Sequence, residues 1–134
     1  MNKLSKLSYC LFFNGERGIE ILKLLDSKNF KILNVFVAKK FLRPDILKKI
    51  PKKTNFTVIE NLNQEIISQT LKKTDIALSC GFPLIFKKSY LSLPSIGFLN
   101  CHAGILPKYR GGSPLNWQLI NCEKIFGISV VKIN

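Results

Sequence analysis

The only histidine of the chain stands two residues after an asparagine, within the glycine-bounded segment 97–112. An apolar run that ends in a polar tip predicts a strand over 97–102. Residues two apart in a strand project to the same face, so Asn100 and His102 are expected side by side. A neutral imidazole can accept a proton from an attacking nucleophile, and a carboxamide N–H can stabilise an oxyanion that forms on a carbonyl. The pair therefore predicts acyl-transfer chemistry, formyl transfer included.

Cys101 stands between these two residues and is the obvious alternative nucleophile. Adjacent strand residues point to opposite faces, so Cys101 and His102 do not readily form a dyad, and we expect a core thiol. The four cysteines show no Cys-x-x-Cys spacing, which argues against a zinc site or a disulfide framework and favours free thiols in a reducing compartment. They are Cys10, Cys80, Cys101 and Cys122.

Two arginines lie at or shortly before the start of predicted helices and could bind an anion. The turn 14–18 could bring backbone N–H groups and Arg17 to a phosphate, although an ordinary strand-to-helix turn explains this pattern equally well. Arg110 has no acidic neighbour in the sequence, so an anion site is favoured there over a purely structural loop. Trp117 is expected in the core of its helix, whereas the sequence leaves the role of Tyr109 open.

Hydrophobic patterning predicts strands that alternate with helices, which is typical of an α/β fold: an open, mostly parallel twisted sheet with helices on both faces. Ligands in such sheets bind at the carboxyl ends of the strands. Asn63 is expected to cap one helix and the Ser113 hydroxyl another, with Pro114 at its first position. The strands are predicted at 7–13, 31–38, 56–59, 76–80, 97–102 and 127–133, and the helices at 17–28, 44–47, 63–73, 87–93 and 114–121.

The composition fits one globular domain with a basic surface. Of the 134 residues 46% are hydrophobic and 22% are charged, and 21 Lys+Arg against 8 Asp+Glu give a net charge of +13. The lysines occur as scattered pairs, which indicates a solvated surface rather than a nucleic-acid groove, while attraction to phosphate-bearing substrates stays compatible with the charge. The apolar run 9–13 is too short for a signal peptide or a membrane span, so no membrane partner and a cytoplasmic location are expected.

The last third of the chain resembles the folate-dependent formyltransferase family, of the methionyl-tRNA and sugar N-formyltransferase type. The resemblance rests on Asn-x-His followed by Leu-Pro-x-Tyr-Arg-Gly and a downstream tryptophan, together with the turn Gly81-Phe-Pro-Leu-Ile85. It runs through Asn100-Cys-His102-Ala-Gly-Ile-Leu-Pro107-Lys-Tyr-Arg110-Gly-Gly-Ser-Pro114-Leu-Asn-Trp117. It implies a formyltransferase-type, Rossmann-like fold, of which residues 1–134 are the N-terminal part of the catalytic domain.

The resemblance also implies the reaction and its residues. The donor would be 10-formyltetrahydrofolate and the acceptor a primary amine, with His102 as general base and Asn100 as the hydrogen-bond donor to the oxyanion. A homodimer is compatible with it. The substrate-binding residues that it implies are Gly81, Phe82, Leu84, Ile85, Gly104, Ile105, Leu106, Pro107 and Arg110.

Gly104 stands where the tRNA-directed members of the family typically carry serine. With the Leu-Asn-Trp run at 115–117, it favours a nucleotide-linked 4-amino-4,6-dideoxysugar as acceptor. Methionyl-tRNA is the alternative acceptor. A truncated, non-catalytic folate-binding module and a nucleic-acid binder are alternatives of other classes.

The most important departure from the family is its catalytic aspartate, which has no match in the given sequence. In the family it follows the strand equivalent to 127–133, and the given sequence ends at Asn134. Asp75 precedes a strand, at the wrong end of the sheet, and Glu123 lies just past a helix. Loss of a carboxylate that orients an imidazole can reduce a rate by orders of magnitude. We therefore expect a domain truncated at its C-terminal end, with little or no turnover.

Overall fold

The computed structural model describes residues 6–134 and contains a six-stranded sheet with helices on both faces. The strand order is β3-β2-β1-β4-β5-β6, in which all neighbours are parallel except β5 and β6. The α/β fold class predicted from the alternating pattern is confirmed. The strands are β1 Ser8–Phe13, β2 Lys31–Ala38, β3 Phe56–Ile59, β4 Ile76–Cys80, β5 Gly97–His102 and β6 Ser129–Ile133, and the helices are α1 Glu16–Ser27, α2 Pro44–Lys49, α3 Glu65–Leu71, α4 Lys88–Leu91 and α5 Pro114–Ile120.

The central strand β1 is buried along its whole length because helices cover it from both sides. On one face α1 and α2 pack through Ile19, Leu22 and Ile46. On the other face α3 packs through Ile67 and Leu71. Buried on both faces, β1 and β2 have the continuous apolar sequences that are typical of parallel strands.

An aromatic cluster fills the core on the α3 face of the sheet. The Phe12 ring lies at its centre, with ring centroids 4.9 Å from Phe36 and Phe86, 5.4 Å from Phe82 and 5.5 Å from Phe98. The cluster joins β1, β2 and β5 to the loop after β4, so the packing of the core supports the loop at the carboxyl edge of the sheet.

The opposite, amino-terminal edge of the sheet is fastened by Asp75. Its Oδ2 atom accepts hydrogen bonds of 2.8 Å from both the backbone N–H and the hydroxyl of Ser8, and Oδ1 accepts one of 2.6 Å from Ser95. These hydrogen bonds, that from the Ser8 backbone first, hold the pKa of Asp75 below its ordinary value. Asp75 therefore joins the starts of β1, β4 and β5 and lies far from their carboxyl ends, as the sequence predicted.

Three local predictions are wrong. The helix predicted from Asn63 begins at Glu65 with Gln64 at its N-cap, and no side chain caps it. Ser113 adopts a left-handed conformation with φ 50° and its hydroxyl does not cap α5. Trp117 is 55% exposed rather than part of the core, because α5 buries its Pro114 and Gln118 side instead.

Candidate functional site

A cleft of about 250 Å³ opens at the carboxyl edge of the sheet, where β1, β4 and β5 end. Parallel strands bring the loops that follow them to one edge, so three separate parts of the sequence meet here. The lining consists of the first turn of α1, the turn after β4, the end of β5 and the loop before α5. Its residues are Arg17, Gly81, Phe82, Asn100, Cys101, His102, Ala103, Gly111, Gly112, Ser113 and Pro114.

Asn100 and His102 both line this cleft, half-buried at the end of β5. They alternate with the buried Phe98 along the strand, so they project from the α3 face of the sheet. Register with β4 sets Asn100 opposite Ser79 and Cys101 opposite Cys80. The shared face predicted from the two-residue spacing is therefore present in the structure.

The Cys101 side chain belongs to the other face of the sheet, although the residue also borders the cleft at the end of β5. It packs against the core cluster under α1 and lines a separate groove with Cys80 and Ile21. Burial raises the pKa of the Cys101 thiol, which disfavours the thiolate that a nucleophile needs. Cys101 is a core thiol in the structure, as its position in the strand predicted.

The imidazole of His102 is held by a backbone carbonyl from the loop that follows β5. Its Nε2 atom lies 2.5 Å from the carbonyl oxygen of Tyr109. A carbonyl oxygen only accepts hydrogen bonds, so Nε2 carries the proton and donates it. The neutral ring then has its lone pair on Nδ1, which is the atom that can act as a base. The Tyr109 contact thus fixes both the tautomer and the orientation of the ring.

Tyr109 is itself fixed by side chains that follow α5. Its ring is 6% exposed, and its hydroxyl donates to Glu123 Oε1 at 2.5 Å and accepts from Asn121 Nδ2 at 3.2 Å. Glu123 also pairs with Lys108, and the hydrogen bonds from Lys108 and Tyr109 hold the pKa of Glu123 below its ordinary value. Sequence reasoning left Tyr109 open because its contact with His102 is made by a backbone atom, for which side-chain chemistry gives no signal.

The Asn100 carboxamide has no hydrogen-bond partner within residues 6–134. It is half-buried and borders two cavities, the cleft of about 250 Å³ and a neighbouring one of about 230 Å³. An amide that is accessible from both cavities and has no protein partner is available to donate to a ligand.

The turn after β4 joins the same site. Gly81 and Phe82 line the cleft, and Phe82 also borders the neighbouring cavity with Leu84 and Ile85. Phe82 is anchored edge-on against Phe12, with ring centroids 5.4 Å apart. The structure thus brings the four substrate-binding residues predicted in this turn next to Asn100.

The residues predicted in the loop after His102 lie elsewhere. Gly104 is buried against the loop's own backbone: a Cβ there would lie 2.8 Å from Pro114 Cβ and 2.9 Å from the Tyr109 oxygen. The Ser129 hydroxyl donates to the Gly104 carbonyl at 2.8 Å, and Ser129 Oγ accepts a hydrogen bond from the Leu106 N–H at 3.1 Å. Ile105 packs beside Gly127, while Pro107 and Arg110 are exposed. These five residues are absent from the lining of the two cavities beside Asn100.

The lining of the cleft holds one charged side chain, Arg17, and within residues 6–134 no carboxylate borders it. The described part of the chain also has no cluster of three or more His, Cys, Asp or Glu residues that could hold a metal ion. No helix in that part is long and apolar enough to cross a membrane. The polar side chains in the lining of the cleft include the His102 imidazole, the Asn100 carboxamide, the Arg17 guanidinium and the Ser113 hydroxyl.

Comparisons with known proteins identify relatives of this arrangement. A family model described as formyl transferase matches residues 31–134. The bifunctional polymyxin resistance protein ArnA of Wigglesworthia glossinidia brevipalpis is 36% identical over 123 residues, which are 90% of this chain and 18% of that protein. Methionyl-tRNA formyltransferase of Thermodesulfovibrio yellowstonii is 32% identical, over 92% of this chain and 44% of that protein.

Solved structures share the fold. Phosphoribosylglycinamide formyltransferase from Anaplasma phagocytophilum superposes with a TM-score of 0.76 at 19% identity, over 95% of this chain and 64% of that one. A 4-N formyltransferase from Francisella tularensis gives a TM-score of 0.71 at 17% identity, over 97% and 51%. The chain spans less than half the length of the two curated relatives named above.

Proposed function

We propose that this chain, which belongs to the formyl transferase family, is part of an enzyme that transfers a formyl group from 10-formyltetrahydrofolate to a primary amine. The observation that carries the proposal is the joint projection of Asn100 and His102 into one cleft. Formyl transfer requires a base for the amine proton and a donor for the oxygen that gains negative charge. The two side chains supply one of each.

The cavities beside Asn100 fit a folate. They measure about 250 and 230 Å³, and both are lined by Phe82 and Asn100. The aromatic and aliphatic side chains of Phe82, Leu84 and Phe86 would hold a flat ring, and the Asn100 amide would fix its reactive group. When bound, the folate supplies the activated formyl group.

His102 would act through Nδ1. The amine forms a bond to the formyl carbon as Nδ1 accepts its proton, and the bond between that carbon and the folate nitrogen breaks as the proton returns to that nitrogen. The Asn100 Nδ2–H would stabilise the negative charge on the formyl oxygen between these steps. The Tyr109 carbonyl, as acceptor for Nε2–H, would stabilise the imidazolium in the same interval.

A nucleotide-linked 4-amino-4,6-dideoxysugar is the acceptor we propose. The support is the resemblance to the sugar branch of the family, carried by Gly104, where tRNA-directed relatives typically have serine, and by the Leu-Asn-Trp run at 115–117. Methionyl-tRNA is the second candidate acceptor, since a methionyl-tRNA formyltransferase is 32% identical over 92% of the chain. Four free cysteines agree with a cytoplasmic enzyme.

Within residues 6–134 no carboxylate borders the cleft, so we propose that the 134 residues alone bind the donor but turn over slowly. The test combines calorimetric binding of 5-formyltetrahydrofolate with mass-spectrometric detection of formylated product from each acceptor. The proposal is supported if the chain binds the folate and forms traces of product from the amino sugar, and if that product is lost in His102→Ala and kept in Cys101→Ala. Absence of folate binding would overturn the proposal. Robust turnover would contradict the slow turnover expected of a cleft without a carboxylate. Product from methionyl-tRNA alone would identify methionyl-tRNA as the acceptor.

A further inference from the structure

Two cysteine side chains lie next to each other on the α1 face of the sheet. The strand register sets Cys80, the last residue of β4, directly opposite Cys101 of the parallel strand β5. Cys80 belongs to the core cluster under α1, and Cys101 packs against the same cluster. Within residues 6–134 neither thiol makes a hydrogen bond. The lone pairs of both sulfur atoms are therefore available to a ligand.

A groove under α1 leads to both cysteines. It has a volume of about 470 Å³ and lies between α1 and the strands β4, β5 and β6. Aliphatic side chains from α1 and from the segment around the start of β6 surround the thiols, namely Ile21, Ile128 and Val130. An apolar groove that ends in two sulfur atoms is suited to a soft, weakly hydrated ligand.

The spacing of the strands decides which chemistry the two thiols can perform. Neighbouring strands lie about 4.8 Å apart, and residues opposite each other in a parallel pair project in the same direction. A disulfide needs Cβ atoms about 3.8 Å apart and sulfur atoms about 2.05 Å apart, so the two side chains would have to converge. A cation held in line between two thiolates separates the sulfur atoms by about 4.6 Å, twice a metal–sulfur bond of about 2.3 Å. The register of Cys80 and Cys101 matches this second distance.

The number of ligands selects the metal. Cu(I) prefers soft sulfur ligands, and it is stable with two thiolates in a linear arrangement. Zn(II) takes four ligands in a structural site and three from the protein in a catalytic one. In the part of the chain that the structure describes, no group of three or more His, Cys, Asp or Glu residues could hold a metal ion. Cys80 and Cys101 therefore offer a site that suits Cu(I) and leaves Zn(II) short of ligands.

Both thiols are protonated without a metal. Burial, followed by the proximity of Cys101, raises the pKa of Cys80, and burial raises the pKa of Cys101. Binding of the cation must therefore displace two protons. Each S–H bond breaks as a bond from sulfur to the cation forms, and the two protons pass to the solvent. The oxidation state of sulfur and of the metal is unchanged.

The charged groups of the groove come from α1. Two thiolates around a monovalent cation carry one net negative charge. The guanidinium of Arg17 lines the groove, and its positive charge favours the thiolate form of Cys80. The carboxylates of Glu16 and Glu20 also line the groove, but Glu16 pairs with Lys49 and Glu20 pairs with Lys23. Arg17 is thus the cation that compensates the charge of the bound complex.

We propose that Cys80 and Cys101 form a two-coordinate dithiolate site for a soft monovalent cation of the Cu(I) type. The site is separate from the cleft, because the two thiols project from the face of the sheet opposite to Asn100 and His102. It does not depend on the proposed formyl transfer, so either proposal can fail without the other. A bound cation joins the end of β4 to β5 and stabilises the fold.

The test uses the whole 134-residue chain, reduced and kept free of oxygen, with Cu(I) as the probe and bathocuproine disulfonate as a competing chelator. Cys80→Ala and Cys101→Ala each remove one ligand and keep a small apolar side chain in the core. Cys122→Ala is the matched control, because it removes an exposed thiol that does not line the groove. Zn(II) is titrated in parallel, and urea denaturation follows the stability of each protein with and without Cu(I).

We expect the wild type to bind one Cu(I) per chain and to unfold at a higher urea concentration when the metal is present. Cys80→Ala and Cys101→Ala should each bind Cu(I) at least about 100-fold more weakly, since a second tethered ligand raises affinity by about 10²–10⁴-fold. Cys122→Ala should bind as the wild type does. Zn(II) should not bind at concentrations that saturate the chain with Cu(I).

The inference is overturned if Cys80→Ala or Cys101→Ala keeps the wild-type affinity for Cu(I), or if Cys122→Ala loses it. Zn(II) bound as tightly as Cu(I), with the same dependence on both cysteines, would show that the site is not two-coordinate. If an alanine variant does not fold, alkylation of the wild type by N-ethylmaleimide decides. Cu(I) should then slow the modification of Cys80 and Cys101 and leave that of Cys122 unchanged, and equal rates with and without Cu(I) would contradict the site.

Discussion

Gly104→Ala tests whether the loop after β5 holds the candidate base in place. The new methyl group would lie 2.8 Å from Pro114 Cβ, 2.9 Å from the Tyr109 carbonyl oxygen and 3.0 Å from Tyr109 Cβ. None of these atoms is the end of a flexible side chain, so the loop backbone must move. Overpacking of this kind costs about 1–3 kcal/mol of unfolding free energy. The carbonyl displaced is the one that accepts the His102 Nε2–H.

Two measurements follow from this geometry. Urea denaturation should show the loss of stability, and the ring ¹⁵N shifts of His102 should show a proton on Nε2 in the wild type and a mixture of tautomers in Gly104→Ala. Gly112→Ala is the matched control in the same loop, because its Cβ would meet no atom within 4 Å. Equal stability of the two variants, with the His102 tautomer unchanged, would show that the loop after β5 does not hold the imidazole in place.

Three further predictions concern the core, the amino-terminal edge and the thiol. Phe12→Ala should cost about 3–5 kcal/mol in urea denaturation, because it empties the centre of the aromatic cluster; a loss below 1 kcal/mol would contradict that packing. The lowered pKa of Asp75 means that its carboxylate stabilises the fold above its unfolded value, near pH 4, and that this contribution is lost as pH falls through the folded value. Unfolding midpoints from pH 7 to 2.5 should therefore fall less steeply in Asp75→Asn than in the wild type, and parallel curves would be the contrary result. Cys101→Ala should leave folate affinity within about twofold, because the thiol lies on the other face of the sheet, and a tenfold loss would place it in the site.

The elements that the sequence predicted well are those whose signal is local. Apolar runs gave the positions of all six strands, and the two-residue spacing gave the shared face of Asn100 and His102. The sequence carried no signal for the antiparallel direction of β6, since pairing direction depends on how the chain returns to the sheet. The strand predicted at 127–133 therefore has the correct position, but the sequence did not predict its direction relative to β5.

The parts that escaped prediction depend on distant contacts. The Ser113-Pro114 pattern predicted that the serine hydroxyl caps α5. Ser113 instead adopts a left-handed backbone conformation, and its hydroxyl makes no hydrogen bond to the first turn of the helix. Trp117 is exposed because α5 turns Gln118 inward, where its Nε2 donates to the Ala103 carbonyl at 3.1 Å. Whether Arg17 enters the cleft depends on the rotation of α1 about its axis, which the helical pattern of that segment fixes only once the sheet is formed.

The most direct test of the account is an NMR titration of the labelled chain with 5-formyltetrahydrofolate. If Asn100 and His102 form the folate site, amide shifts should change around residues 81–86 and 100–103, the His102 ring signals should move with them, and Asn100→Ala and His102→Ala should weaken the binding. Shift changes confined to the groove under α1, around Cys80 and Val130, or no saturable change at all, would contradict it.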